Sequence, residues 1–206
     1  VCISCSGTNI GSAAGSDGEE DCLADAGYTG SGSSVVACAA GTFKATAASA
    51  AACDECVAGK YKSDTAQTSD TCISCVAGKF KGEEAQTSDT CENCAISKYK
   101  ATPAQPSDTC EDCPQHSTSA AASDAENDCK ASAGYTGEGS TVTACDAGTF
   151  KAAAASAAAC TNCVAGKYKA STAQTSAAAC TSCPGTNSGS AAGSDGEEDC
   201  LADAGY

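Results

Sequence analysis

The nineteen cysteines of this 206-residue chain are the side chains best suited to chemistry. Most of them form Cys-x-x-Cys pairs, and 15 residues separate the pair Cys53/Cys56 from the pair Cys72/Cys75. Thiols at such spacings can form structural disulfides, hold a zinc ion or carry out redox exchange. Taken alone, segment 53–75 has the spacing of a zinc ribbon.

Three features favour disulfides over zinc. The Cys-x-x-Cys pairs follow one another without a break, so two zinc tetrads would have to share each pair. Cys22 and Cys38 stand alone and fit no tetrad. The flanking sequence is acidic, rich in Ser and Thr, and offers no histidine ligand. Structural disulfides are therefore favoured, and a metal-binding or redox protein is the least favoured interpretation of the chain.

The repeat predicts a pairing scheme in which the opening cysteine of each unit bonds to the first cysteine of the next. The predicted disulfides are Cys5–Cys22, Cys38–Cys53, Cys56–Cys72, Cys75–Cys91, Cys94–Cys110, Cys113–Cys129, Cys145–Cys160, Cys163–Cys180 and Cys183–Cys200. Cys2 is left over, unpaired by truncation, and we expect its partner to lie upstream of Val1. A rival scheme closes each Cys-x-x-Cys internally, as in redox enzymes, and leaves Cys22 and Cys38 orphaned or paired to each other.

The composition shows why cross-links are needed. Leu, Ile, Val and Phe together make up only 16 of 206 residues, and the net charge is −15. Such a chain cannot offset its ordering entropy by apolar burial. Disulfides contribute about 2–4 kcal/mol each and persist in oxidising compartments, which predicts an extracellular or cell-surface protein.

The cysteines are carried by two kinds of repeated block. Short units open at Cys56, Cys75 and Cys94 with a period of 19 residues, and residues 185–206 repeat residues 7–28 with a single difference. The chain divides into a long cysteine-rich block (1–56), three short repeats (57–113), a second long block (114–163), one short repeat (164–183) and the start of a third long block (184–206). The offset of 178 residues between Cys5 and Cys183 indicates slightly more than one super-repeat of a longer chain.

Each unit is predicted to be a hairpin. Lys60-Tyr61-Lys62 alternates polar and apolar residues, which predicts a short strand with its aromatic ring inward. We expect arms of about five residues, closed at the base by a disulfide and stacked through one aromatic on the next unit. The stacking aromatics are Tyr28, Phe43, Tyr61, Phe80, Tyr99, Tyr135, Phe150, Tyr168 and Tyr206. The predicted fold class is small and disulfide-rich, with tandem short β-hairpin or irregular repeats stacked into an elongated rod, little helix and no large core. Helices in the Ala tracts are the alternative, which cysteines at every 15–16 residues disfavour.

These motifs resemble the ephrin-receptor-like cysteine-rich repeat, a relative of the tumour-necrosis-factor-receptor and EGF-like modules. The resemblance is carried by Cys110-Glu-Asp-Cys113-Pro114, then Cys129 and Ala-Gly-Tyr135. It implies an extracellular module of receptors, matrix proteins or large protist surface proteins. Family members often carry a second disulfide where this chain has Ala24 and Ala131 opposite Val35 and Val142. The resemblance therefore implies a looser loop from Tyr28 to Val36.

Other candidate sites are weaker. Asp17, Glu19 and Asp21 could bind Ca²⁺, although a solvated acidic loop is the simpler interpretation. The turns 65–69 and 102–107 could carry O-linked glycans. Lys-aromatic-Lys could bind sugars or polyanions, but strand lysines paired with Asp70, Asp89 or Asp108 are favoured. His116 is expected at the surface, and no catalytic constellation is present.

We therefore predict that the chain is not an enzyme. The favoured function is an extracellular structural repeat protein that builds a filament, stalk or cell-surface appendage. The alternative is an ectodomain spacer of a receptor or adhesion protein that binds a protein or glycan ligand. Expected partners are copies of the chain itself and glycans, while the acidic charge argues against nucleic acid. No apolar run approaches the roughly 20 residues of a membrane helix, so this segment is not expected to insert into a membrane.

Overall fold

The computed structural model describes residues 5–202, and its regular structure consists of two-residue β-strands and three-residue 3₁₀ turns. The strands are β1 (Ile10–Gly11), β2 (Leu23–Ala24), β3 (Tyr28–Thr29), β4 (Val36–Ala37), β5 (Thr42–Phe43), β6 (Asp54–Glu55), β7 (Lys60–Tyr61), β8 (Ile73–Ser74), β9 (Lys79–Phe80), β10 (Glu92–Asn93), β11 (Lys98–Tyr99), β12 (Glu111–Asp112), β13 (Ser117–Thr118), β14 (Lys130–Ala131), β15 (Tyr135–Thr136), β16 (Thr143–Ala144), β17 (Thr149–Phe150), β18 (Thr161–Asn162), β19 (Lys167–Tyr168), β20 (Thr181–Ser182), β21 (Ser188–Gly189) and β22 (Leu201–Ala202). The 3₁₀ turns are Glu19–Asp21, Gly32–Ser34, Glu126–Asp128, Gly139–Thr141, Ala177–Ala179 and Glu197–Asp199. No α-helix occurs in this part of the chain.

Consecutive strands pair into eleven antiparallel hairpins, β1 with β2 through to β21 with β22. In most hairpins the second strand is the dipeptide between the two cysteines of a Cys-x-x-Cys motif, as with Ile73–Ser74 opposite Lys60–Tyr61. Gly59 makes the tight entry to this hairpin with a φ of +84°, a backbone conformation open to glycine at little cost. The fold is thus a small disulfide-rich series of tandem hairpins.

The predicted five-residue arms are wrong, because the paired strands are only two residues long. The remaining backbone groups of each hairpin bond to the next hairpin instead of extending their own ladder. Phe43, for example, pairs with Asp54 in its own hairpin and forms a parallel bridge to Gln67 in the next. The strands flanked in this way by backbone on both sides are those that carry Phe43, Tyr61, Phe80, Tyr99, Phe150 and Tyr168.

The same three backbone hydrogen bonds connect successive hairpins. Between the hairpins of β7 and β9, Gly59 N–H donates to the Lys81 carbonyl at 2.8 Å and Lys62 N–H donates to the Gln86 carbonyl at 2.8 Å. Ala85 N–H donates back to the Cys56 carbonyl at 3.0 Å. The corresponding three bonds recur between the hairpins of β17 and β19. A repeated sequence at a fixed period thus yields a repeated set of contacts.

The described chain forms two compact units. The first unit extends to Asn93 and includes the loop Thr102–Thr109, and the second comprises Cys94–Ala101 and the chain from Cys110 onward. In each unit the buried apolar positions are cysteines, together with Ala24 in the first and Ala131 in the second. Neither unit has the cluster of large aliphatic side chains that forms an ordinary core, so the disulfides occupy the interior.

Candidate functional surface

The structure joins the nine cysteine pairs that translation of the repeat predicts. The bonds are Cys5–Cys22, Cys38–Cys53, Cys56–Cys72, Cys75–Cys91, Cys94–Cys110, Cys113–Cys129, Cys145–Cys160, Cys163–Cys180 and Cys183–Cys200, with Cα atoms 5.6–5.9 Å apart. Wherever both cysteines of a Cys-x-x-Cys motif are described, the two belong to different bonds. Each closes a separate loop, and the dipeptide between them connects the two loops. Cys2 lies outside the described residues.

The bonded sulfurs leave two segments of the described chain without a bridge across them. Residues 22–38 and 129–145 each connect one closed loop to the next, and each contains a hairpin, β3/β4 or β15/β16. Backbone bonds hold these hairpins: Gly32 N–H donates to the Cys22 carbonyl at 2.8 Å, and Cys38 N–H donates to the Gly27 carbonyl at 2.9 Å. That the Tyr28–Val36 loop is looser than its neighbours stays a prediction.

Lysine is the residue that the sequence analysis misplaced. The lysine that follows the aromatic was expected to point outward, yet five of these side chains are buried: Lys44, Lys62, Lys81, Lys100 and Lys151. A lysine can be buried along its aliphatic stem when its ammonium reaches hydrogen-bond acceptors. Among the described residues, no buried side-chain nitrogen or oxygen lacks a hydrogen-bond partner.

Lys44 shows how a buried ammonium is accommodated. Its Nζ donates to the carbonyl of Tyr28 at 2.6 Å, to that of Ala24 at 3.4 Å and to that of Ser49. Burying an unpaired ammonium costs several kcal/mol, and three carbonyl acceptors offset much of that cost (roughly 1.5–3 kcal/mol for a typical hydrogen bond to a charged group). Two of the three acceptors lie in the unbridged segment 22–38.

The second long block repeats this arrangement. Lys151 Nζ donates to the carbonyl of Tyr135 at 2.6 Å, to that of Ala131 at 3.3 Å and to that of Ser156. Burial lowers the pKa of the Lys151 ammonium below its ordinary value. We call each ammonium with its three carbonyl acceptors a lysine clamp. In the short repeats the equivalent Lys62 and Lys81 donate instead to the hydroxyls of Thr71 and Thr90.

The sequence does contain a signal for these lysines. Six hairpins carry an aromatic residue that is followed by lysine: Phe43, Tyr61, Phe80, Tyr99, Phe150 and Tyr168. The residue before this aromatic varies between Thr and Lys, as at Thr42 and Lys60, whereas the residue after it is always Lys. A position held constant across otherwise variable repeats indicates a specific contact. Lys60, at the variable position, is half-buried and lies 4.0 Å from a carboxylate oxygen of Asp70, one of its expected partners.

The repeated aromatics are half-buried. This group comprises Tyr28, Phe43, Tyr61, Phe80, Tyr99, Tyr135, Phe150 and Tyr168. Tyr206 lies outside the described residues. Within residues 5–202 the recorded ring stack is that of exposed His116 on Tyr135, with centroids 4.0 Å apart and planes 7° from parallel. The lone histidine therefore packs on an aromatic face.

Two tyrosine hydroxyls donate to carboxylates. Tyr99 Oη donates to Glu111 Oε2 at 3.0 Å, across the pair of β11 and β12. Partial desolvation, together with this hydrogen bond and the charge of Glu111, raises the pKa of Tyr99. Tyr168 Oη likewise donates to Glu197 Oε2 at 3.3 Å, and its pKa is raised for the same reasons. These contacts link a repeated aromatic to the acidic surface of the chain.

Asp21, one of the three candidate Ca²⁺ ligands, forms hydrogen bonds with the local backbone. Asp21 Oδ2 accepts the backbone N–H groups of Asp17 at 3.0 Å and Gly18 at 3.2 Å. Asp128 and Asp199 make the same pair of bonds in their own turns. Within residues 5–202, no three Asp, Glu, His or Cys side chains are arranged to hold a metal. The carboxylate that ends each acidic run thus fixes the backbone before a cysteine.

The outer surface combines acidic strands with single apolar side chains. Asp54–Glu55 and Glu111–Asp112, the dipeptides between paired cysteines, are exposed. Lys98 Nζ lies 2.7 Å from Asp112 Oδ1, directly across the strand pair. The exposed large apolar residues are Val36, Val57, Ile73, Val76, Ile96, Val164 and Leu201.

Comparison with known proteins assigns no family to the chain. No protein-family model matches it, and no curated protein is significantly similar to it. The described part of the chain contains no helix that is both long and apolar enough to span a bilayer. Its class is indicated by its chemistry, because disulfide-rich repeated hairpins suggest an extracellular or secreted protein of the structural or ectodomain kind.

Proposed function

We propose that this chain is an extracellular structural protein whose repeats build a filament, stalk or cell-surface appendage. The observation that carries the proposal is the connection between hairpins: the bonds that join Gly59, Lys62 and Ala85 to their partners recur from hairpin to hairpin. A connection that repeats by translation can be extended by any number of units, as in other repeat proteins. Each added unit also brings its own disulfide.

Electron microscopy of the native material tests this function. We expect thin fibres whose subunit repeat matches a whole number of super-repeats. A second measurement is sedimentation of the purified, oxidised chain over a range of concentrations, with reversible assembly as the expected result. Discrete monomers in both experiments would contradict the proposal.

The second candidate is an ectodomain spacer that binds a protein or glycan ligand. The exposed apolar side chains at equivalent repeat positions favour it, since Val57, Val76 and Val164 are 57%, 62% and 65% exposed. Exposed apolar side chains mark a protein contact where they form a contiguous patch. A full-length gene with one super-repeat beside a unique globular domain and a membrane helix would favour this candidate over a filament.

The finer assignments belong to the same proposal. We place the chain with the ephrin-receptor-like cysteine-rich repeats on the strength of the motif around Cys110 and Cys113, and we expect no enzymatic activity. O-linked glycans on the polar turns 65–69 and 102–107 would add hydration to an acidic surface. Intact-mass measurement before and after chemical deglycosylation tests the glycan assignment.

A further inference from the structure

We propose that residues 22–38 and 129–145 are the extensible segments of this chain, which unfold reversibly under tension while the disulfide-closed hairpins keep their length. The lysine clamps of Lys44 and Lys151 hold these segments folded. The inference goes beyond the proposed structural role. It concerns a single chain and does not depend on whether copies assemble.

The disulfides determine which residues carry a load. Tension that reaches Cys56 passes across the bond to Cys72, whose Cα atom is only 5.8 Å away, and the 15 residues between them remain slack. The load then crosses the dipeptide Ile73–Ser74 to Cys75 and the next disulfide. That dipeptide is already an extended strand, so it adds little length.

The two unbridged segments differ from every other part of this load path. The chain from Cys22 to Cys38 must carry the full tension, yet it is folded back on itself through β3 and β4. Its 16 residue steps span about 55 Å when fully extended, at about 3.4 Å per residue. Segment 129–145 has the same length and the same folded hairpin.

Contacts from the next hairpin oppose extension alongside the backbone bonds within the segment itself. Lys44, which lies inside the closed loop 38–53, donates to the carbonyls of Ala24 and Tyr28 in the extensible segment. Thr29 Oγ1 donates to the Ala51 carbonyl at 2.8 Å, and Gly27 N–H donates to the Lys44 carbonyl at 2.8 Å. All of these are hydrogen bonds, so they can break and re-form.

The short repeats supply the contrast. Lys62 is buried like Lys44, with 4% and 2% of their surfaces exposed. The Lys62 ammonium donates to Thr71, and both residues lie within the loop that Cys56–Cys72 closes. Loss of this contact would loosen a loop that carries no load. Lys44 and Lys62 are similarly buried but have different mechanical roles. Lys44 contacts a segment that carries the load, whereas Lys62 contacts a loop that a disulfide closes.

Optical-trap measurements on the whole oxidised chain, held by handles at its two ends, test the inference. We expect two extension events, each adding no more than about 55 Å, that reverse when the force is released. In Lys44→Met, one event should move to lower force, with an unfolding rate at fixed force raised about tenfold or more through loss of a charged donor. The other event should not change.

Lys62→Met is the matched control and should leave both events unchanged. Lys151→Met is the second test and should shift the event that Lys44→Met leaves alone. Non-reducing mass measurement verifies nine disulfides in every variant, so misfolded samples are excluded. Events longer than a 16-residue segment, no added length before the handles rupture, or equal effects of Lys44→Met and Lys62→Met would each overturn the proposal.

Discussion

Gly59 lies against the backbone of Ala104, two hairpins further along the chain. A Cβ atom placed on Gly59 would lie 2.5 Å from the Ala104 carbonyl oxygen and 2.6 Å from its carbonyl carbon. Ala104 itself adopts a left-handed conformation, with φ of 56°. Gly59 therefore serves a turn and also admits the loop of the second hairpin beyond its own.

Replacement of this glycine is expected to destabilise the first unit. Gly59→Ala combines a left-handed alanine, which costs about 1–2 kcal/mol, with a steric overlap that typically costs 1–3 kcal/mol more. Gly15→Ala is the control, because Gly15 has φ of +95° but no atom within 4 Å of the added Cβ. Thermal unfolding of the oxidised proteins measures the difference. Equal losses of stability would show that Ala104 is not in close contact.

Replacement of alanine by glycine at a left-handed position should stabilise the protein. Ala85, which meets Gly41, has φ of 52°, and Gly193, which meets Gly148 in the same way, has φ of 83°. Ala85→Gly should raise the free energy of unfolding by about 0.5–1 kcal/mol, since relief of left-handed strain exceeds the entropic cost of glycine. Ala58→Gly, outside the positive-φ positions, should lower it. Denaturant titration of both variants decides the sign at each site.

Trypsin should cut the non-reduced, urea-treated chain into two disulfide-held fragments. The chain has eleven lysines and no arginine, and every lysine except Lys130 lies inside a loop closed by a disulfide. Apart from dipeptides between paired lysines, the products should be residues 1–130 and 131–206. Bridges within each Cys-x-x-Cys would instead release separate small peptides, which mass spectrometry distinguishes at once.

The Tyr99–Glu111 contact should appear in a tyrosine titration. Because the pKa of Tyr99 is raised in the folded chain, its contribution to stability is fully present below pH 10, its ordinary pKa. That contribution is lost as pH rises through the raised value. Glu111→Gln removes a charge and should move one tyrosine of the ultraviolet titration curve to lower pH. The contact is exposed, so any effect on unfolding should be small.

The disulfide partners could be predicted because cysteine spacing and the period of the repeat leave one scheme that translates along the chain. The hairpins could be predicted from the alternation of polar and apolar residues in Lys60-Tyr61-Lys62. The arm length and the burial of Lys44 could not be predicted, because they depend on which backbone groups the next hairpin supplies. The contact of Gly59 with Ala104 joins residues 45 positions apart, beyond any local pattern. The alternation of polar and apolar residues describes a single hairpin. The arm length, the burial of Lys44 and the Gly59–Ala104 contact depend on two or three hairpins together.

Glycine contacts join a hairpin to the second one after it, as where Gly41 meets the backbone of Ala85 and Gly59 meets that of Ala104. A duplication or loss of one whole 19-residue unit therefore returns every donor, acceptor and glycine to an equivalent neighbour, while an indel of any other size misaligns the partners on both sides. Recombination between near-identical repeats in a gene adds or removes whole units, because equivalent positions of two repeats pair with each other. Genes of this kind can consequently drift in copy number, and individuals of one population are expected to differ in length by multiples of the unit.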